Sequence, residues 1–264
     1  ISGLNIVIDP AITGTVDVAK FIAWRRGLPL FQVPTAMTVN APYGHRAGLR
    51  RDGLVRYLGY AIPEAVYVDF DVIASAPVGL NRAGVGDILC YHTAHLDWRL
   101  TRDLGKEERR WPYDEGLVAA ARLRLDAVLG ALDEIHDVSD TGIRTLMDAH
   151  RWGGGTFHAA GWNPRHIEGV EHFFFYNLEK RTGRHFIHGQ PVGLGIVLGS
   201  VMHGSGADEM VAALARAVIS LAEDKAARAR MSAAALARSR EARFSPDHIH
   251  RELLAVYRGL APVR

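Results

Sequence analysis

An α/β portion followed by an all-helical portion is the fold class this sequence predicts, and three observations carry it. Short apolar runs alternate with a helical segment up to about residue 75. From Ala83 onward the character of the chain changes and its segments look helical. Hydrophobic residues make up 48% of the 264-residue chain against 23% charged, enough to bury a sizeable core.

Taken in order, Asn5–Ile8 reads as a strand, Thr15–Arg26 as a helix and Leu30–Val33 as a second strand closed by Pro34. Strand, helix and strand in that order form a βαβ unit, so the first portion holds a partial, Rossmann-like parallel sheet. The polar, Gly-containing segment Asn40–Gly59 predicts a hairpin or loop, and Ala65–Phe70 a further buried strand. Asp87–Arg102, Tyr113–His136, Ser139–His150, Pro164–Leu178 and Val192–Met202 predict helices. Between the third and fourth, the glycine run of Trp152–Thr156 looks like a phosphate loop but reads as a C-cap and turn. Domain boundaries are accordingly expected at 1–75, 76–205 and 206–264.

Several partners are disfavoured. A formal net charge of +2 gives no reason to expect nucleic acid. No apolar run approaches a membrane span, and the stretch Val192–Met202 is short and punctuated by glycine. A single cysteine, Cys90, excludes an internal disulfide and fits a reducing, cytoplasmic setting. No basic n-region of a signal peptide is visible. Ile1–Ile8 reads as a strand already inside a domain, which predicts residues ahead of Ile1.

Three polar residues stand out in apolar helical surroundings: Asp87 in "AGVGDIL", His172 in "GVEHFFFY" and His188 in "FIHGQPVGLG". One carboxylate and two imidazoles form an ordinary ligand set for zinc or iron(II), and three protein ligands leave a coordination position open. Each residue also has a plainer reading. Thirteen histidines are scattered through the chain, and Asp87 after Gly-Val-Gly equally suits a helix N-cap.

Longer motifs favour the metal. The stretch "VPTAMTVNAPYGHRAGLRRDG", continued by "AIPEAVYVDFDVIASAPVGLNRAGVGDILCYHTAHLDWRL", resembles the sn-glycerol-1-phosphate dehydrogenases of the iron-containing alcohol dehydrogenase and dehydroquinate synthase superfamily. "EGVEHFFFYNLE" and "HGQPVGLGIVLGSVMHG" extend the likeness in the same order, over about Thr13 to Gly204. The resemblance implies a dehydroquinate synthase-like fold, with a nucleotide-binding α/β domain ahead of a helical metal-binding domain. It implies Asp87, His172 and His188 as ligands of Zn2+ or Fe2+, and NAD(P) held by Gly14, Thr15, Asp17, Lys20 and Thr35. It also implies a small phosphorylated substrate, and leaves a homo-oligomer open. The tail from Gly206 resembles the closing helices of GT-B glycosyltransferases, or is an Ala-rich helical cap without chemistry.

Four departures from the family pattern matter. The glycine triplet of the pyrophosphate loop is reduced to Gly14, preceded by Asp9, Pro10, Ala11 and Ile12, whose side chains obstruct close approach to the backbone. The strands that precede this loop in the family are absent from the chain as given. Asn40 stands where an acid is expected in the substrate loop. Gln190 replaces a glutamate, and Tyr176 replaces a histidine. Weak nicotinamide binding is the expectation, unless residues ahead of Ile1 complete the site.

Secondary candidates complete the reading. Asn40, His45 and Arg46, with Arg50 and Arg51 nearby, suit substrate phosphate, or form a solvated basic loop. Lys20 serves the pyrophosphate, or is an exposed lysine paired with Asp17. His92 is the acid/base candidate by its intrinsic pKa, with Tyr91 beside it. Asp97 orients a ligand or forms a helix-stabilising salt bridge. Phe173–Tyr176 suits core packing beside the metal. The expected function is a metal-dependent, NAD(P)-linked dehydrogenase acting on a small phosphorylated polyol or ketone. The alternatives are a lyase or cyclase of the same fold, and a non-catalytic metal-binding remnant serving as a partner subunit.

Overall fold

The computed structural model describes residues 5–8, 15–51 and 54–223. Gly14, the residues before it from 9, and the tail from 224 lie outside the described residues, as do the side chains of Thr15 and Arg51. Contacts gather residues up to Ser220 into one compact unit and those from Leu221 into a second.

Strand β1 (Asn5–Ile8), helix α1 (Thr15–Arg26) and strand β2 (Leu30–Val33) form the expected βαβ unit. Asn5 pairs with Leu30 and Ile8 with Val33, in parallel. Helix α1 turns Val16, Ala19, Lys20 and Ala23 inward. That i, i+3, i+4, i+7 stripe packs Ala19 and Ala23 against Leu30. Segment 40–59 contains an antiparallel hairpin, β3 (Ala47–Arg51) with β4 (Leu54–Leu58).

The expected strand Ala65–Phe70 is mostly not a strand. Only β5 (Ala65–Val66) pairs with β2. Asp69 accepts from the Val72 backbone N–H at 3.0 Å and caps helix α2 (Phe70–Ser75). A capping carboxylate inside the run redirects the chain where β propensity alone would continue it. The sheet is therefore three-stranded and parallel, in the order β1-β2-β5.

From Val78 onward every described element is a helix. Helix α3 (Val78–Asp103) begins well before the expected boundary and is buried along most of its length. Asp87 lies in its third turn, so the N-cap reading does not hold. Around α3 pack α4 (Glu115–Gly130), α5 (Leu132–His136), α6 (Asp140–Ala159), α7 (Val170–Thr182) and α8 (Gly189–His203), followed by α9 (Ala207–Glu223). The glycine run at Trp152 is a second correction. It lies inside α6 rather than ending it, with Tyr91 and Tyr43 packed on Gly153 and Gly154. No described helix is long and apolar enough to cross a membrane.

Candidate metal centre and active-site cleft

Asp87 comes from the middle of α3, His172 from the first turn of α7, and His188 from the residue just before α8. The structure brings all three together. His188 Nε2 lies 3.0 Å from Asp87 Oδ1, His172 Nε2 lies 3.5 Å from the same oxygen, and the two Nε2 atoms are 3.2 Å apart. An ion bound tetrahedrally at zinc–nitrogen distances holds its ligand atoms about 3.3 Å from one another. The donor set therefore fits a metal in both chemistry and spacing.

Local geometry explains the convergence. Gly86 of α3 faces Gly189 of α8, and a Cβ on either would collide with the other helix's backbone: with the Gly189 carbonyl in the first case, with the Ala83 carbonyl in the second. The missing side chains let the backbones approach closely enough to set His188 beside Asp87.

The residues that orient the triad were not singled out from the sequence. Glu171 is fully buried, and its oxygens accept from Gly169 N (2.5 Å), Thr93 Oγ1 (2.5 Å) and His172 Nδ1 (3.0 Å). Because a carboxylate only accepts, His172 carries its proton on Nδ1 and turns Nε2 toward Asp87 and His188. His150 is also fully buried, with Nε2 donating to the Met37 carbonyl at 3.2 Å and Nδ1 3.7 Å from Asp87 Oδ2. The signal for Glu171 was its place beside His172. Neighbours in a helix normally face apart, and only its position in the first turn of α7 lets its carboxylate fold back.

Electrostatics match a cation site. Burial alone would raise the Asp87 pKa, but His188, His172 and His150 reverse this and hold its carboxyl well below the usual carboxylate range. Burial likewise opposes charge on His172, yet Asp87 and Glu171 raise its pKa well above the ordinary histidine value. The negative field that would keep a proton there also attracts a metal ion. A second convergence, of Cys90 with Glu171 and His172, is already occupied. Cys90 Sγ lies 2.7 and 2.8 Å from the Asp87 and Ile167 carbonyls, burial pushes its thiol pKa up, and the Glu171 oxygens are taken.

The triad lines a cleft that also includes Asp17, Lys20, Asn40, His45, Arg46 and Tyr176. Asn40 directs its backbone N–H at Asp87 Oδ2 from 3.4 Å. His45 packs against His158, ring centroids 4.5 Å apart and tilted by 51°, and burial, then His158 and Lys20, keep its pKa below the ordinary value. Arg46 lies over the Trp162 ring at 5.2 Å. Arg50 is committed elsewhere, in a two-point pair with Glu179 at 2.9 Å.

Lys20 is only 2% exposed, not the solvated lysine of the plainer reading. Its Nζ contacts Asp17 Oδ1 (2.6 Å) and the carbonyls of Ala41 (3.0 Å) and Arg46 (2.8 Å), which uses all three ammonium donors. One cation thus ties both ends of the loop that carries His45 to α1. Lys20→Met, which keeps much of the volume but strands Asp17 and two carbonyls, is expected to cost about 3 kcal/mol in a urea titration. An unchanged midpoint would show that the tie contributes nothing.

Other expected site residues lie elsewhere. His92 is buried with Nε2 3.0 Å from the Ser205 carbonyl, outside the cleft, because it follows Asp87 by five residues and points away from it. Asp97 accepts from Val170 N at 2.6 Å and pairs with His203 Nε2 at 2.7 Å, so it holds the start of α7 rather than facing the cleft. Tyr91 donates to the Ala149 carbonyl, away from the cleft. Thr35, just past β2, is not among the cleft residues. Phe175 is core, but Phe173 is 57% exposed.

Comparison with known proteins identifies the family. The sequence profile described as "Iron-containing alcohol dehydrogenase" matches residues 13–77. Glycerol-1-phosphate dehydrogenase [NAD(P)+] of Hyperthermus butylicus is 32% identical over 193 residues, covering 72% of this chain and 53% of that protein. Its counterpart in Thermofilum pendens is 35% identical over 191 residues, covering 72% and 54%. This chain belongs to the iron-containing alcohol dehydrogenase superfamily. It spans about half the length of the curated relatives it matches. Solved structures agree on the superfamily fold. A probable glycerol dehydrogenase from Sinorhizobium meliloti superposes with a TM-score of 0.60 at 20% identity, covering 81% of this chain and 61% of that one. Glycerol dehydrogenase from Schizosaccharomyces pombe gives 0.60 at 19% identity, with 81% and 56% covered.

Proposed function

We propose that the cleft is the active site of a metal-dependent, NAD(P)-linked dehydrogenase that interconverts a ketone and a secondary alcohol on a small phosphorylated polyol. The observation that carries this reading is the convergence of Asp87, His172 and His188 within 3.5 Å of one another on a cleft that Arg46 also lines. Two imidazoles and a carboxylate suit zinc or iron(II). Bound there, a divalent ion supplies Lewis-acid stabilisation of charge developing on the reacting oxygen. Glu171 fixes the tautomer of His172, and Asp97 with His203 anchors the helix that carries it. Arg46, with no carboxylate partner among the described residues, is the cation we assign to the substrate phosphate. The named relatives act on glycerol 1-phosphate, which makes its ketone, dihydroxyacetone phosphate, the substrate of choice for a test.

The saturated ammonium of Lys20 supports a second reading. If no cation serves a pyrophosphate there, the metal site would act without nicotinamide, as a lyase or cyclase on a sugar phosphate. One experiment separates the two: elemental analysis of the purified protein, an NADH and NADPH binding titration, and turnover of dihydroxyacetone phosphate. Metal together with nicotinamide-dependent reduction is expected. Metal without nicotinamide binding would replace the first reading by the second, and absence of metal would refute both.

A further inference from the structure

Glu168 is a carboxylate in the cleft that forms no salt bridge among the described residues. The neighbouring acids of the same segment are committed, Glu171 to three donors and Glu179 to Arg50. Among the described residues, the side-chain partner of Glu168 is a phenol, Tyr57, whose hydroxyl lies 3.2 Å from Oε1. Tyr57 in turn lies 3.3 Å from the hydroxyl of Tyr176. Tyr57 comes from hairpin strand β4, whereas Glu168 and Tyr176 belong to the helical portion. The Arg50–Glu179 pair fastens the adjacent strand β3 to α7 and holds the phenol across the cleft.

The direction of this chain follows from chemistry. A carboxylate only accepts, so Tyr57 donates to Glu168 and its oxygen accepts the proton of Tyr176. Tyr176 then keeps lone pairs free to accept a hydrogen bond from a ligand. It stands one helical turn beyond His172, with ring centroids 6.2 Å apart, and both residues line the cleft. At the other end Glu168 is half-buried, and Tyr57 between them is 38% exposed, which opens the chain to solvent.

We propose that Tyr176, Tyr57 and Glu168 form a proton relay between the reacting hydroxyl and solvent. The proposal rests on the dehydrogenase reading. In the oxidative direction the substrate O–H bond breaks and its proton goes to Tyr176 Oη, while the Tyr176 proton moves to Tyr57 and the Tyr57 proton to Glu168 Oε1. The substrate's C–H hydrogen leaves as hydride to an oxidised nicotinamide. In reduction the order reverses, and protonated Glu168 resupplies the alcohol.

The test uses the whole chain loaded with zinc. Glu168→Gln and Tyr57→Phe are each expected to lower kcat about a hundredfold, with KM for dihydroxyacetone phosphate and zinc content unchanged. Glu168→Ala should lose as much and recover with added formate, which substitutes for the missing carboxylate, whereas Tyr57→Phe should not recover. A merely structural role would move KM or zinc content and would not respond to formate. Variants within threefold of wild-type kcat, or an alanine variant that formate does not restore, would overturn the relay and leave the dehydrogenase reading standing. A zinc-loaded wild-type protein that reduces no ketone with either nicotinamide would overturn both.

Discussion

His188→Ala leaves the protein folded and strips it of metal. His188 is partly exposed at the start of α8, so truncating it removes little core. It does remove one of three protein ligands. Asp87 and His172 remain, 3.5 Å apart, as a two-point site. Removing a hydrogen-bond partner behind a ligand typically costs 10–100-fold in metal affinity, and loss of a ligand itself costs more. A fall of about a thousandfold or greater is therefore the expected result, read by chelator competition and by elemental analysis after dialysis. Glu171→Gln, which leaves all ligands in place, should fall within about 10–100-fold. Equal metal content in wild type and His188→Ala would refute the assignment of the site.

Gly189→Ala has the second largest expected effect, and its sign opposes intuition. An alanine in a helix is ordinarily favoured over glycine by about 1 kcal/mol. At Gly189 the new methyl runs into the Ala83 backbone carbonyl of α3, which cannot turn aside as a flexible side chain would. Overpacking of this kind costs about 1–3 kcal/mol, occasionally more. Helix α8 must shift off α3, and His188, the preceding residue, moves with it. The variant should lose both denaturation midpoint and most of its metal. Gly155→Ala, in α6 with nothing within 4 Å of the added methyl, is the matched control and should be neutral or slightly stabilising. If both alanines stabilise, the close approach of the two helices does not position the site.

Helix and strand identities were legible where the pattern was local and periodic. The βαβ unit of β1, α1 and β2 and most of the helical portion were expected from the chain, but Tyr113–His136, read as one helix, is broken at Ala131 into α4 and α5. Other errors fell where one short-range interaction overrode the local pattern. Asp69 ended a β-branched run by capping α2, and packed tyrosines kept a glycine run inside α6.

The site divides in the same way. Asp87, His172 and His188 were legible by their chemistry and by the motifs around them, which are continuous stretches of sequence. Partner choice was not, because it joins residues far apart in the chain. Lys20 could equally be a surface lysine or a phosphate ligand until the Ala41 and Arg46 carbonyls took up its remaining donors. His92, near Asp87 in sequence, is turned away from the cleft, while distant His150 faces the same carboxylate. By itself the sequence determined which side chains can ligate, donate or accept. Only the tertiary structure decided which of them meet, since a hydrogen bond or a ligand set exists only where packing brings its atoms within about 3 Å.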